Sequence, residues 1–304
     1  MPFTAKSGKF NASINTVEFG TGDKAVKIGG ENVFPLYSFD AAIENAPKVG
    51  IEITDFGMEH EPECIKKYYE GCATLADMAR KAASMEGVDF LSFRMEGGDP
   101  NGVNKSTEEL IGELKEIADA VDLPLVVCGC KNVEKDAELF SKAAEALNGK
   151  NAVILSAKEE NYKTVGAAAG LAYKQIVGAE SAVDINLAKQ LNVLISQLGV
   201  DSKSVVMNVG SAAVGYGFEY VISTMDRVKA AALQQGDANL QMPIITPVAS
   251  EAWGVKEAMA SETDAPEWGS QEERGIDMEV ETAMAVIAAG SNAVILKHPE
   301  SIKI

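Results

Sequence analysis

Pro124-Leu-Val-Val-Cys-Gly-Cys130 is a short β-branched run bounded by Pro and Gly, and Asn132-Val-Glu-Lys-Asp-Ala-Glu-Leu-Phe-Ser-Lys-Ala-Ala-Glu-Ala-Leu147 follows it at once. The run is too short for a buried helix and reads as a strand covered on both faces. In the second segment, apolar residues fall at 133, 137, 140, 143, 144 and 147, which is helical spacing. Together they make one strand-then-helix unit, and repeats of such a unit encode a parallel sheet clothed in helices.

Outward from this unit, the pattern recurs in both directions. Upstream lie Gly50-Ile-Glu-Ile-Thr54, followed by a long helix with apolar or small residues at 65, 68, 69, 72, 75, 76, 79, 82 and 83, and Phe90-Leu-Ser-Phe-Arg-Met-Glu96, followed by a helix opened by Ser106 with Glu109 three residues on, a capping box. The long helix would carry Cys64 and Cys72 eight residues apart. Downstream come Ala152-Val-Ile-Leu155, Gln175-Ile-Val-Gly178, Ser204-Val-Val-Met-Asn-Val209, Pro243-Ile-Ile-Thr-Pro247 and Asn292-Ala-Val-Ile-Leu-Lys297. Helices are expected at about 162–173, from Asp184, at about 218–235, and up to Gly290 after a long loop through Trp253 and Trp268. Eight strands with seven full helices predict a TIM (β/α)8 barrel rather than an open doubly wound sheet, because no early Gly-x-Gly-x-x-Gly turn marks a dinucleotide-binding half. The chain stops seven residues after the last strand, so the last helix is expected to be short or missing.

Two alternating runs, Phe10 to Phe19 and Lys24 to Gly30, flank a Gly-rich turn and predict an N-terminal β-hairpin covering the barrel floor. Residues 1–48 are therefore read as hairpin and connecting segment, and 49–304 as the barrel. The length of 304 residues suits one barrel of about 250 residues with an appendage.

Charge narrows the function. Asp and Glu total 45 against 27 Lys and Arg, a formal charge of −18 that repels nucleic acid and anionic lipid. The start, Met-Pro-Phe-Thr-Ala-Lys, lacks the roughly 7 to 15 apolar residues of a signal peptide. No run approaches the roughly 18 apolar residues of a membrane span, and a reducing cytoplasm is the expected location. The four cysteines, 64, 72, 128 and 130, show neither disulfide nor zinc or cluster spacing. Cys128 and Cys130 alternate on one strand and would point the same way as buried thiols.

Functional groups of a barrel collect where strands run into the following helices. The polar residues there are Thr54, Asp55, Glu96, Asp99, Lys131, Asn132, Glu159, Glu160, Asn161, Asp184, Asn186, Asn208, Thr246, Ser250, Glu251, Lys297 and His298. Asn132 and Asp184 are equally suited to N-capping a helix. Asn208, beside Gly210 in a loop that can approach a ligand closely, reads either as a ligand contact or as a loop hydrogen bond. Lys297 has an aldolase-like position but no legible acid–base set beside it. His60 and His298 are the only histidines, too few for a His-built metal site or triad. The Gly-rich loop after the sixth strand is misplaced for a barrel phosphate site. The residues alone thus give a polar, amide-rich mouth short of nucleophiles and bases.

Val127-Cys-Gly-Cys-Lys-Asn-Val-Glu-Lys-Asp136, Asn161-Tyr-Lys163, Asp184-Ile-Asn-Leu-Ala-Lys-Gln-Leu-Asn192, Gly215-Tyr-Gly-Phe-Glu-Tyr220, Glu251-Ala-Trp253, Glu273-Arg-Gly275 and His298-Pro-Glu300 occur in that order. Together they closely resemble the small subunit family of the corrinoid iron–sulfur protein, also called the delta subunit of the acetyl-CoA decarbonylase/synthase complex. The resemblance runs from about residue 12 to the end. It implies a TIM barrel without a complete active site of its own, in a heterodimer with a large subunit that carries an iron–sulfur cluster and a corrinoid domain. A cobamide would lie between that domain and the barrel mouth. In the anaerobic Wood–Ljungdahl pathway of carbon fixation, methyl transfer would run from a methyltetrahydrofolate methyltransferase, through this protein, to acetyl-CoA synthase/CO dehydrogenase. Scattered cysteines agree with a cluster held by the partner only, and an amide-rich mouth suits corrin amide side chains. Asp99, Asn161, Asp184, Asn208 and Tyr216 are the expected cobamide contacts, from barrel geometry and membership of these blocks. The alternatives are a pterin-binding methyltetrahydrofolate:corrinoid methyltransferase barrel, in which Asn186 or Asn208 would read the folate, and a conventional lyase or aldolase.

Overall fold

The computed structural model describes residues 8–304; the first seven residues of the expected N-terminal segment lie outside the described residues. Strands β1 (Val17–Phe19) and β2 (Val26–Ile28) pair antiparallel, Val17 opposite Ile28 and Phe19 opposite Val26. The chain leaves β1 through Gly20, whose φ of +82° is open to Gly at no steric cost.

The barrel follows. Strand β3 (Lys48–Thr54) leads into α1 (Glu63–Lys66) and α2 (Leu75–Ala83), β4 (Phe90–Arg94) into α3 (Thr107–Ala120), and β5 (Leu125–Cys128) into α4 (Val133–Ala146). Strand β6 (Val153–Ala157) precedes α5 (Tyr162–Val165), which continues as a π-helix over 166–172, and β7 (Ile176–Glu180) precedes α6 (Ile185–Gln197). After β8 (Val205–Asn208) comes α7 (Phe218–Lys229), again ending in a π-helix, over 230–234. Strand β9 (Ile245–Pro247) is followed by α8 (Ala249–Ala252), α9 (Lys256–Met259) and α10 (Gln271–Ala289), and β10 (Ala293–Leu296) by α11 (Pro299–Lys303). All eight strands are parallel in the order β8-β7-β6-β5-β4-β3-β10-β9. A parallel bridge between Met207 and Ile244, with Met207 N–H donating to the Pro243 carbonyl at 2.8 Å, joins the two ends. The sheet is a closed α/β barrel, and α11 is the short last helix.

Two elements differ from the sequence reading. The long helix after β3 is two: the chain turns through Gly71 (φ +84°), and Thr74 restarts it with a reciprocal capping box to Asp77. Cys72 consequently lies in the turn and not on a helix shared with Cys64. The long loop after β9 contains α8 and α9.

Interior parity divides the apolar residues into two cores. Val17, Phe19, Val26 and Ile28 of the hairpin join Phe90, Val126, Val153, Ile176, Val206, Ile245 and Ala293 inside the barrel. The hairpin therefore fills the N-terminal end with its own apolar face. Phe19 and Phe90 meet edge to face at 5.5 Å, and Gly50 leaves room for that ring, since a Cβ there would lie 2.1 Å from Phe90. The alternate residues, including Ile51, Leu91, Phe93, Val127 and Ile154, pack outward against Leu110, Leu114, Leu139 and Phe140 of α3 and α4. Both strand faces are apolar because both are covered. Among the described residues no helix is long and apolar enough to cross a membrane.

Candidate functional site

The parity that places Phe90 at the barrel floor carries Ser92 and then Arg94 up the same interior wall, and on β3 it carries Gly50 to Glu52. Toward the C-terminal end the interior turns from apolar to polar, and the strand ends enclose a cavity of about 320 Å³. That volume lies at the lower end of small-molecule pockets.

A buried ion pair stands at its base. Arg94 Nε donates to Glu52 Oε2 at 3.0 Å, and Nη2 lies 2.9 Å from the same oxygen. The side chains are 8% and 1% exposed, so neither charge is screened by water. Burial works against the guanidinium, but the Glu52 carboxylate outweighs it and holds Arg94 charged above its ordinary range. Nη2 has no acceptor in hydrogen-bonding geometry, and it belongs to a residue that lines the cavity.

The adjoining strands complete the lining. From β8, Asn208 Nδ2 donates to Ser156 Oγ at 3.0 Å while its Oδ1 accepts the Gly210 N–H at 3.1 Å. Both Asn208 and Ser156 are buried and line the cavity. On the wall, Lys158 pairs with Glu180 at 3.2 Å and Lys131 with Glu251 at 3.0 Å. Asp136, on the first turns of α4, accepts from Cys130 N–H at 2.7 Å, and burial raises its carboxyl above the usual range. Gly129 makes this approach possible, because a Cβ there would fall 2.1 Å from Asp136 Oδ1. The resulting chamber offers donors and acceptors, its lining cations matched by carboxylates. Such a lining can bind polar groups.

Of the five expected contacts, the cavity lining includes Asn208 alone. Asp99 accepts from Asn101 N–H at 3.0 Å and from Asn101 Nδ2 at 3.2 Å in its own loop. Asn161 is buried, accepting from Lys158 N–H at 2.8 Å and donating to the Val133 carbonyl at 3.1 Å, so that it ties the start of α5 to that of α4. Asp184 is exposed and N-caps α6 through Asn186 and Leu187 N–H, the bland reading it shares with Asn132 on α4. Tyr216, half exposed, donates from its hydroxyl to Glu257 Oε2 at 2.5 Å.

Other expectations change with the geometry. Cys128 faces the barrel interior, 3.6 Å from Ser92 Oγ, whereas Cys130, beyond the end of β5, packs in the outer core and donates to Asp136 at 3.3 Å. The two thiols are buried but do not point the same way. Lys297 is held by Glu61 at 2.8 Å, which outweighs burial and keeps it an ammonium, unsuited to attack a carbonyl. His298 caps α11 through Nδ1, accepting the Glu300 N–H at 3.1 Å, and stacks on Trp253. Among the described residues no group of three or more His, Cys, Asp and Glu side chains is arranged to hold a metal ion.

Arg94, Glu52, Cys128, Ser156, Lys158 and Glu180 were absent from the sequence-based set. Opposite charges at interior parity on neighbouring strands, Glu52 and Arg94, were a usable signal. Ser156 was not: pairing of β6 with β7 slips between Ile154 and Ala157, and the extra residue breaks the alternation.

The family described as "CO dehydrogenase/acetyl-CoA synthase delta subunit" matches residues 16–301. "Acetyl-CoA decarbonylase/synthase complex subunit delta 1" of Methanosarcina thermophila is 30% identical over 292 residues, covering 94% of this chain and 66% of the relative. The delta subunit of Methanothermobacter thermautotrophicus is 31% identical over 298 residues, covering 97% of this chain and 75% of the relative. The chain thus spans just under two thirds of the length of the Methanosarcina relative. Among solved structures, dihydropteroate synthase of Thermus thermophilus with 4-aminobenzoate superposes with a TM-score of 0.54 at 12% identity, covering 94% of this chain and 96% of that one. The Xanthomonas albilineans enzyme in complex with 7,8-dihydropteroate gives 0.53 at 13% identity, covering 85% and 90%. At such identity the likeness is one of fold, the TIM barrel.

Proposed function

We propose, since this chain belongs to the CO dehydrogenase/acetyl-CoA synthase delta subunit family, that its barrel mouth covers the cobamide of a corrinoid iron–sulfur partner during methyl transfer. The observation that carries the reading is the chamber itself, a polar cavity lined by Arg94, Ser156 and Asn208 from three neighbouring regions of the barrel wall. Corrin amide side chains supply matching acceptors and donors. At about 320 Å³ the cavity is suited to such side chains, and the macrocycle would lie across the mouth.

When bound, the cobamide supplies the cobalt that carries the methyl group. The chain's own residues bind and orient the corrin edge and limit water at that face. The partners on this reading are a large subunit holding the corrinoid and the iron–sulfur cluster, a methyltetrahydrofolate methyltransferase, and acetyl-CoA synthase/CO dehydrogenase.

The test is anaerobic reconstitution of the chain with the large corrinoid subunit, comparing parent with Asn208→Ala and following the visible corrin spectrum and the protection of cobalt from oxidation. A weakened spectral response in the variant, at unchanged barrel stability, supports the reading. An unchanged response in the variant, or a parent chain that has no effect on the spectrum, overturns it. Methyltetrahydrofolate titrated into the chain alone separates the rival: folate binding with methyl turnover would make this barrel a pterin-binding methyltransferase.

A further inference from the structure

The barrel mouth is spanned by one of its own ion pairs. Glu52–Arg94 and Lys158–Glu180 each link adjoining strands, β3 with β4, and the end of β6 with β7. Lys131 follows β5 and Glu251 sits on α8, just after β9, and these two strands are separated by three others either way round the closed barrel. Lys131 Nζ donates to Glu251 Oε1 at 3.0 Å, so the pair reaches from one side of the opening to the other, and both residues line the chamber.

Lys131 is held in an unusual backbone conformation for this reach. Its φ of +68° is left-handed, natural to glycine and uncommon for a long side chain. The start of α4 fixes it on both sides, Cys130 N–H donating to Asp136 Oδ1 at 2.7 Å and Asn132 capping the helix, and such strain persists where the surroundings over-determine it. Below the pair, Cys128, Ser156 and Asn208 are 2%, 5% and 5% exposed, whereas the Lys131 and Glu251 side chains are 65% and 34% exposed. The pair is thus the solvent-facing layer over a buried floor. An exposed pair contributes little net stability and weakens with salt, which suits a contact that has to come apart.

We propose that Lys131 and Glu251 form a latch over the chamber, closed in the free chain and parted when a ligand group enters. Entry between the ends of β5 and β9 separates the two side chains, and each then faces the incoming group, an ammonium donor on one side and a carboxylate acceptor on the other. A neutral amide carries both an acceptor and donors, so an amide-bearing ligand edge is the class that satisfies both halves of the opened latch. That the amide belongs to a corrin rests on the function proposed above; the latch rests on the geometry of the mouth alone.

The test uses the full chain without ligand, with Cys128 in the chamber as reporter and Cys130 in the outer core as control. Modification of each thiol by methyl methanethiosulfonate, which is small and uncharged, is timed by peptide mass spectrometry. Burial pushes the Cys128 thiol up to about 11, and the charges acting on it most are those of Arg94, Glu52 and Glu180, so removing the latch leaves its intrinsic reactivity in place. Lys131→Gly fits the left-handed backbone, and Glu251→Gln keeps the shape without the charge. Both should label Cys128 roughly two- to fivefold faster than the parent, the shift expected from losing an exposed pair, with Cys130 unchanged. Exchanging the charges, Lys131→Glu with Glu251→Lys, should return the parent rate. Equal labelling of Cys128 in the parent and the single variants, acceleration of Cys130 alongside Cys128, or an exchanged pair as fast as the single variants overturns the latch. The labelling needs no corrinoid, so failure of the latch and failure of the corrin reading are told apart.

Discussion

Replacing Arg94 with Met isolates what the buried pair at the base of the mouth contributes. The substitution keeps an apolar stem of similar length and leaves the Glu52 carboxylate, 1% exposed, without the guanidinium that contacts Oε2 and with Oε1 already lacking a hydrogen bond. Breaking one partner out of such a pair costs about 3–5 kcal/mol, because a charge stays buried without compensation. At about 2.1 cal/mol/K per residue, a chain of 304 residues unfolds with an entropy of roughly 0.6 kcal/mol/K, so the loss lowers Tm by about 5–8 °C. Removing both charges behaves differently: Glu52→Leu with Arg94→Met exchanges the pair for apolar packing and should return to within about 1 kcal/mol of the parent. Urea unfolding of the parent, both single variants and the double variant closes the cycle. A single-variant loss below about 1 kcal/mol, or a double variant as unstable as Arg94→Met, would refute the argument that an uncompensated buried charge dominates. The double variant also separates stability from recognition. Restored folding with a lost corrin response assigns the Glu52–Arg94 pair to ligand binding, since both charges are gone while the barrel stands.

Three further outcomes follow from the fold. Phe19→Ala, which empties the fully buried ring that meets Phe90, should cost about 3–5 kcal/mol in urea unfolding; a loss under 1 kcal/mol would mean that the hairpin is not integral to the barrel core. Thr74→Ala should cost about 1 kcal/mol by removing the capping box to Asp77, and Thr74→Ser should restore most of it; equal stability of all three chains would deny the second helix start. Burial lowers the His298 pKa, with Lys67 acting in the same sense against Glu272 and Glu300. Between the folded pKa and the unfolded value of about 6.5 the unfolded chain binds the extra proton, so the stabilisation is complete above that window and is lost as pH falls through the folded pKa. His298→Asn keeps a capping acceptor without the titration, and unfolding curves across pH 5 to 8 should flatten; an unchanged slope rules His298 out as its source.

The amino-acid sequence alone determined the order of the elements, because the features that encode them are local. Eight short apolar strands, the helical spacing from Val133 to Leu147, the caps at Ser106, Asn132 and Asp184, and the alternating hairpin about Gly20 each depend on residues a few positions apart. Where local features competed, the reading failed: an uninterrupted apolar stripe outweighed Gly71 and Thr74, although a left-handed glycine and a cap end and restart a helix. Only tertiary closure decided which polar strand ends meet. Asp99, Asn161, Asp184 and Tyr216 all follow strands and Asn208 ends one, but the hydrogen bonds of Asp99, Asp184 and Tyr216 go to groups outside the chamber lining, and the Asn161 side chain meets that lining only through the Lys158 backbone N–H. Arg94 reaches the mouth by parity, Ser156 by a slip in register that no alternation rule contains, and Glu31 meets Lys229 and Asn292 across 198 and 261 residues. Local periodicity tells a side chain which face it occupies; what it faces is set by the curvature and stagger that close the sheet.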